Sequence, residues 1–174
     1  VNSILMKTPL YQYYRKKRKE ERLADITAVG FKKSSITFVD HHLCHASAAY
    51  YGAPWRNEKV LVFTSDGSGD GLCGSVCVGQ NGRLERIAEI PKGNSIGNVY
   101  SNVTFMLGLT PWEHEWKIMG MAPYAYEKDK MRSYEVFKQY LSLDEKNLSI
   151  ERNIPEATNY IYSRLRRDLE FHGF

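Results

Sequence analysis

The order of patterns along the chain predicts a mixed α/β domain, on three observations. "KVLVFTSD" (Lys59 to Asp66), "LCGSVCVG" and "LERIAEI" are β-branched and apolar runs separated by short turn signals, which predicts an antiparallel three-strand meander. Ahead of it, "SITFVD" (Ser35 to Asp40) reads as a short buried strand, and "LCHASAAYYGA" keeps Ala and Leu in helical register. Behind it come helical patterns rather than further long strands.

Each element has its local reason. From about Leu5 to Leu23 the residues favour helix, with Leu10, Tyr14 and Lys17 on one face and charge elsewhere. The helix after Asp40 is closed by Gly52 and Pro54. "DGSGDG" reads as a glycine-rich turn after the first meander strand, and Asn81-Gly82 in "QNGR" as a tight hairpin turn before the third. A helix is predicted from about Gly97 to Leu107, a charged one from roughly Glu127 to Tyr140, and another starting near Pro155.

The chain has 174 residues and a net charge of +4, which suits one domain or a large part of one. No apolar run approaches the roughly 20 residues of a membrane-spanning helix, so no membrane partner is expected. The basic run "YYRKKRKEER" is better read as a solvated helix face than as a nucleic-acid patch, because Glu20, Glu21 and Asp25 follow at once. Cys44, Cys73 and Cys77 are odd in number and irregularly spaced; a disulfide framework is not expected and a cytoplasmic location is. The chain starts at Val1 rather than Met and ends inside a helical pattern, so a piece of a longer protein is expected.

Three histidines fall within five residues of "VDHHLCHASAAYY". On a helix beginning near Asp40, His41 and His45 lie one turn apart on one face, the spacing by which a helix offers two imidazoles to one metal ion. His42 lies about 100° around the helix from His41. Asp40 is a candidate N-cap or an acceptor that orients an imidazole. No Glu follows the first histidine, which excludes the H-E-x-x-H protease pattern. A plain helix start with partly exposed histidines is the alternative.

"TSDGSGDG" offers a carboxylate, Asp66, and backbone N–H groups that can cradle phosphate oxygens, or else a simple hairpin loop. It is not a P-loop, because no Lys-Ser or Lys-Thr pair follows. Gly97 stands at a helix start, where the dipole favours an anion or polar ligand. Lys117, three residues before Gly120, is either a partner for a phosphate or carbonyl oxygen or a surface lysine. Cys73 and Cys77, an even number of residues apart, are expected to face one side of their strand as buried thiols.

Taken together, "DHHLCHASAAYYGAPW", "VLVFTSDGSGDG" and "SIGNVYSNVTFMLGLTPWEHEWKIMGMAPYA" resemble, in order and spacing, the NodU/CmcH-type O-carbamoyltransferases over roughly Thr37 to Ala125. The resemblance implies part of an N-terminal domain with the actin-like/Hsp70-like ATPase (RNase H-like) fold. It implies a YrdC-like domain in the same full-length chain that makes carbamoyl-adenylate from carbamoyl phosphate and ATP. The N-terminal domain would then pass the carbamoyl group to a hydroxyl of a small-molecule or sugar acceptor. A divalent metal, iron foremost, would sit near the adenylate phosphate.

Residue by residue, His41 and His45 match the family's histidine metal ligands, and Asp66 the carboxylate that ends the strand before the glycine turn. Gly67, Ser68 and Gly69 would lie near the phosphate; Lys117 and Gly120 match the "E-x-K-x-M-G" segment that shapes the nucleotide pocket, and Gly97 joins this cofactor-binding set. The related tRNA-modifying domain holds ribose with an Asp where this chain has Ser101 and Asn102. His42 is a candidate general base for the acceptor hydroxyl, or a residue supporting a ligand or substrate. The family's first strand and nucleotide loop would precede Val1, and a further acidic ligand would follow Phe174, so this piece alone is expected to hold metal weakly and not to complete the transfer. The alternatives are a metal-dependent hydrolase using His41, His45 and Asp66, and a non-catalytic nucleotide-binding module.

Overall fold

A computed structural model describes residues 8–171, with 56 left out. The chain divides into two compact units at Asp40/His41. In the first, helix α1 (Pro9–Ala28) starts where Thr8 accepts a hydrogen bond from the Tyr11 N–H and Pro9 fills the first turn. It runs past the expected end at Leu23 and stops before Gly30, whose φ of +100° takes the left-handed conformation that ends helices. Leu5, Met6 and Lys7 of the expected helix lie outside the described residues. None of its residues is buried, as a charged, solvated helix requires.

The expected buried strand at Ser35 to Asp40 is not formed. Lys33–Ser35 is a 3-10 turn, and Thr37, Phe38 and Val39 are exposed. An extended run with no hydrogen-bonded neighbour is not a strand, however apolar it is. Within this unit Lys19 Nζ instead covers the Phe38 ring, 4.5 Å from its centroid.

The second unit opens with helix α2 (His41–Gly52), followed by the meander β1 (Val60–Gly69), β2 (Leu72–Gln80) and β3 (Arg83–Pro91), antiparallel and in the order β1-β2-β3. Both turns have two central residues with positive φ: Asp70 at 51° and Gly71 at 93°, then Asn81 at 51° and Gly82 at 74°. The first turn corrects the sequence reading. Gly67 to Gly69 belong to β1, whose register shifts between Ser65 and Gly69, so Asp66 does not end the strand.

Helix α2 buries His42, Ala46 and Tyr50, one turn apart, on the meander. Ala46 and Tyr50 pack with Val62 and Cys77. Gly79 leaves room for this: a Cβ there would lie 2.5 Å from the Tyr50 ring. Tyr50 Oη closes the contact by accepting from the Gly82 N–H at 3.0 Å.

Helix α3 (Ile96–Met106), the short α4 (Glu115–Met121) and α5 (Glu127–Phe137) follow. Then come the hairpin β4 (Leu141–Asp144) with β5 (Ser149–Arg152) and helix α6 (Tyr162–Asp168). The charged helix stops short of Tyr140, which joins Met106, Ile161 and Leu165 in a second core. The helix expected near Pro155 begins only at Tyr162, after a 3-10 turn. Ile150 of the hairpin packs with Cys73 and Ile90. Cys73 and Cys77 therefore belong to different clusters; the register of β2 shifts between Leu72 and Gly74, at Cys73, so strand parity does not carry from one thiol to the other. Among the described residues no helix is long and apolar enough to cross a membrane.

Candidate metal centre and adjoining cleft

The first turn of α2 and the irregular end of β1 bring three ligand atoms to one point. His41 Nε2 lies 2.6 Å from Asp66 Oδ2, His45 Nε2 lies 3.1 Å from His41 Nε2, and His45 Nε2 lies 3.5 Å from Asp66 Oδ2. Nitrogen and oxygen ligands about 2.0–2.2 Å from one metal ion stand roughly 3 Å apart, so this spacing fits a shared ion. Two imidazoles and a carboxylate on one side, with open positions opposite, are the donor set of non-haem ferrous centres and of catalytic zinc. The His41 and Asp66 side chains are more than a third exposed and that of His45 just over half, which leaves room for a further ligand.

The surroundings hold this geometry. Asp70 Oδ2 accepts from the His41 backbone N–H at 3.0 Å and so caps the first turn of α2. Asp66 Oδ1 accepts from the Gly67 N–H at 2.6 Å. The His41 hydrogen bond, opposed by partial burial and helped by the Gly67 N–H, holds the Asp66 carboxyl below its ordinary value, so it is ionised and ready to ligate. Ser95 Oγ donates to the Asp66 carbonyl at 2.8 Å and accepts from the Asn98 N–H, capping α3. The Asn98 side chain donates to the Gly67 carbonyl at 3.1 Å. A Cβ on Gly97 would meet Gly67 N at 3.3 Å, so a glycine lets α3 sit against the strand.

His42 is placed otherwise than expected. It has no exposed surface, and its Nδ1 lies 3.0 Å from Thr64 Oγ1, which in turn lies 2.8 Å from Ser75 Oγ. Its Nε2 is buried without a partner among the described residues. A general base must reach the proton it removes. His42 is an interior residue that backs His41 and His45, its ring centroid 5.2 Å from that of His41.

Beside the centre lies a cleft of about 460 Å³ lined by Asp66, Gly67, Ser68, Gly97, Asn98, Ser101, Trp112 and Glu115. Gly67, Ser68 and Gly97 of the expected cofactor-binding set line this one cleft. Gly69 does not line it, because the His41 ring fills the space beside it. Lys117 and Gly120 do not line it either: Lys117 Nζ lies 5.5 Å from the Trp116 ring centroid, and Gly120 faces open space. The Gly67 N–H is already given to Asp66, which removes one expected phosphate donor. Asp70, Ser95, Asn98 and Trp112 carried no role in the sequence reading, and Glu115 entered only as the first residue of the E-x-K-x-M-G segment. The recurrence of Asp four residues after Asp66 was the available signal for Asp70, and the Ser before a helical run for Ser95.

Residues 3–163 match the family model described as carbamoyltransferase N-terminus. The chain belongs to this family. Among similar proteins, the chain is 34% identical over 110 residues to the nodulation protein NolNO of Sinorhizobium fredii, covering 63% of this chain and 15% of NolNO. It is 35% identical over 105 residues to the nodulation protein NolO of Bradyrhizobium diazoefficiens, covering 60% and 18%. An uncharacterised protein of Methanocaldococcus jannaschii, MJ1058, is 33% identical over 135 residues, covering 70% and 22%. The chain thus spans about a fifth or less of the length of these relatives.

Proposed function

We propose that the chain is part of an O-carbamoyltransferase that passes a carbamoyl group from carbamoyl-adenylate, made from carbamoyl phosphate and ATP, to a hydroxyl of a small-molecule or sugar acceptor. The observation that carries the reading is the convergence of His41, His45 and Asp66 beside a cleft, in a chain of the carbamoyltransferase N-terminus family. In the transfer, the acceptor oxygen bonds to the carbamoyl carbon, the bond to the adenylate phosphate breaks, and AMP and a proton leave. A divalent ion, iron foremost by the family resemblance, would supply Lewis-acid polarisation of a carbamoyl or phosphate oxygen when held by these three residues.

The chain's own residues position the reactants. Asp70 holds the His41 backbone N–H, Gly69 leaves room for the His41 ring, and Ser95 and Asn98 tie the start of α3 to Asp66 and Gly67. The first turn of α3, with Gly97, offers the positive end of a helix dipole to an anionic leaving group. On this reading the domain has the actin-like ATPase fold, works in the cytoplasm with its thiols reduced, and receives its adenylate from a YrdC-like domain of the full-length chain. Lys117 and Gly120 lie on the neighbouring short helix, where they would bear on the nucleotide only through a change in that segment.

Labelled carbamoyl phosphate, ATP and a panel of sugar acceptors test this in the intact protein. Carbamate ester formation that needs ATP and is abolished by His41→Ala with His45→Ala is expected. The same exposed three-ligand geometry also suits a metal-dependent hydrolase. Release of phosphate from simple esters without ATP, and no carbamate product, would replace the transferase reading with that one.

A further inference from the structure

Helix α3 has a second working face. Gly97, Asn98 and Ser101 line the cleft beside Asp66, while Val99 and Val103 lie on the opposite side of the helix. That side walls a separate cavity of about 350 Å³, closed by Ile118 of α4, Phe137 of α5, and Tyr140 and Leu141 where the chain enters β4. Ile96, half exposed, stands at its mouth, so the cavity is reached from solvent. Val99, Val103, Phe137 and Leu141 also pack against the core of Met106, Ile161 and Leu165, which holds the walls from behind. The walls carry no charged side chain, and their only polar side-chain atoms are the hydroxyls of Tyr100 and Tyr140. Tyr140 Oη donates to Asp168 Oδ2 at 2.8 Å, so that hydroxyl is already committed to α6.

A cavity with such walls offers water too few partners to hold it. One of roughly 150 Å³ lined by Leu, Ile and Phe stays dry and binds benzene. The cavity behind α3 is more than twice as large, and Tyr100, Phe137 and Tyr140 give it three aromatic walls. Two fused rings fill it better than one, with edge or offset contacts to those walls. A nucleotide or a sugar would strand its hydrogen-bonding groups there, and an anion would find no cation. We propose that this cavity is a binding site for an uncharged, fused-ring aromatic molecule. The site rests on the cavity alone and is independent of the carbamoyl-transfer reading.

Calorimetric titration of the intact protein tests this with indole, benzene and adenosine as probes. Indole should bind about ten-fold more tightly than benzene, from the apolar area of its second ring, and adenosine should not displace it. Two variants fill the space from opposite walls. Ile118→Trp supplies an indole of the chain's own, and Val99→Phe adds a ring from α3. Each should weaken indole binding at least ten-fold. Thermal unfolding verifies that they fold, and filling a dry cavity should hold or raise the midpoint. Indole binding that is unchanged in the folded variants overturns the site. Displacement of indole by equimolar adenosine overturns the apolar assignment and makes the cavity part of a nucleoside site. A wild type that does not bind indole also overturns it, and is the result expected if another segment of the full-length protein occupies the cavity.

Discussion

The ring of His41 occupies the space that a side chain on Gly69 would need. A Cβ built on Gly69 would lie 2.0 Å from His41 Cδ2 and 2.6 Å from its Nε2. The glycine at this point of β1 is therefore a condition for aiming His41 at Asp66. It is not a site of backbone freedom, because its φ lies outside the left-handed region. Gly69→Ala is expected to displace the ring, weaken metal binding by at least ten-fold, and cost about 1–3 kcal/mol of stability through overpacking. Metal titration and chemical unfolding of the same variant check both effects. Undiminished metal affinity would show that His41 is not a ligand.

Asp70 caps the helix that carries His41 and His45. Asp70→Ala removes the acceptor and also leaves a residue with a Cβ at a φ of 51°, so a loss of about 1–2 kcal/mol is expected. Asp70→Asn keeps an acceptor and tolerates the left-handed backbone, so it should cost a few tenths of that. Urea midpoints of the two variants make the comparison. Equal losses would contradict the capping role.

His42, Thr64 and Ser75 form a buried polar chain under the candidate metal centre. Thr64→Val leaves His42 Nδ1 and Ser75 without that hydroxyl while keeping the volume. A loss of about 1–3 kcal/mol in unfolding free energy is expected, from polar groups buried without a partner. His42→Ala should destabilise by more, since it adds a cavity. A His42→Ala protein of wild-type stability with transfer alone abolished would restore His42 as a catalytic base.

Much of this was legible because it is written locally. Asn81-Gly82 specifies its turn through two adjacent residues, and the i, i+4 spacing of His41 and His45 sets their common face. The meander follows from β-branched alternation in β1, with Val62 and Thr64 inward and Leu61 and Phe63 outward. Other features needed the third dimension. Gly67 to Gly69 resemble a flexible loop in sequence, yet they form an irregular strand end with His41 stacked close to it. The β4–β5 hairpin was missed because its turn, with Leu148 at a φ of +50°, lacks Gly or Pro; Asp144 builds it by accepting from the Asn147 N–H and side chain. Trp112 and Glu115 could not be assigned, because their cleft is assembled from β1, α3 and the loop before α4.

Cys73 gives a pH test. Burial first, with the negative Asp66 adding to it, pushes its thiol up from 9.0 to about 11, and Sγ donates to the Pro91 carbonyl at 3.2 Å. The folded state therefore holds this proton more tightly than the unfolded chain. Its contribution to stability is complete below about pH 9 and is lost as pH rises toward 11. Loss of up to about 3 kcal/mol across that window is expected, and Cys73→Ser should flatten it. At pH 8 a thiol reagent should label the exposed Cys44 and spare Cys73 and Cys77. Rapid labelling of Cys73 in the folded protein would contradict its burial.

The central claim is that His41, His45 and Asp66 hold one divalent ion. The most direct test is the metal content of the intact protein, measured by elemental analysis after purification without chelators, for wild type and for His41→Ala with His45→Ala. One equivalent of metal in wild type and less than a tenth of that in the folded double variant is the expected result. Equal metal content in the two proteins would contradict the account.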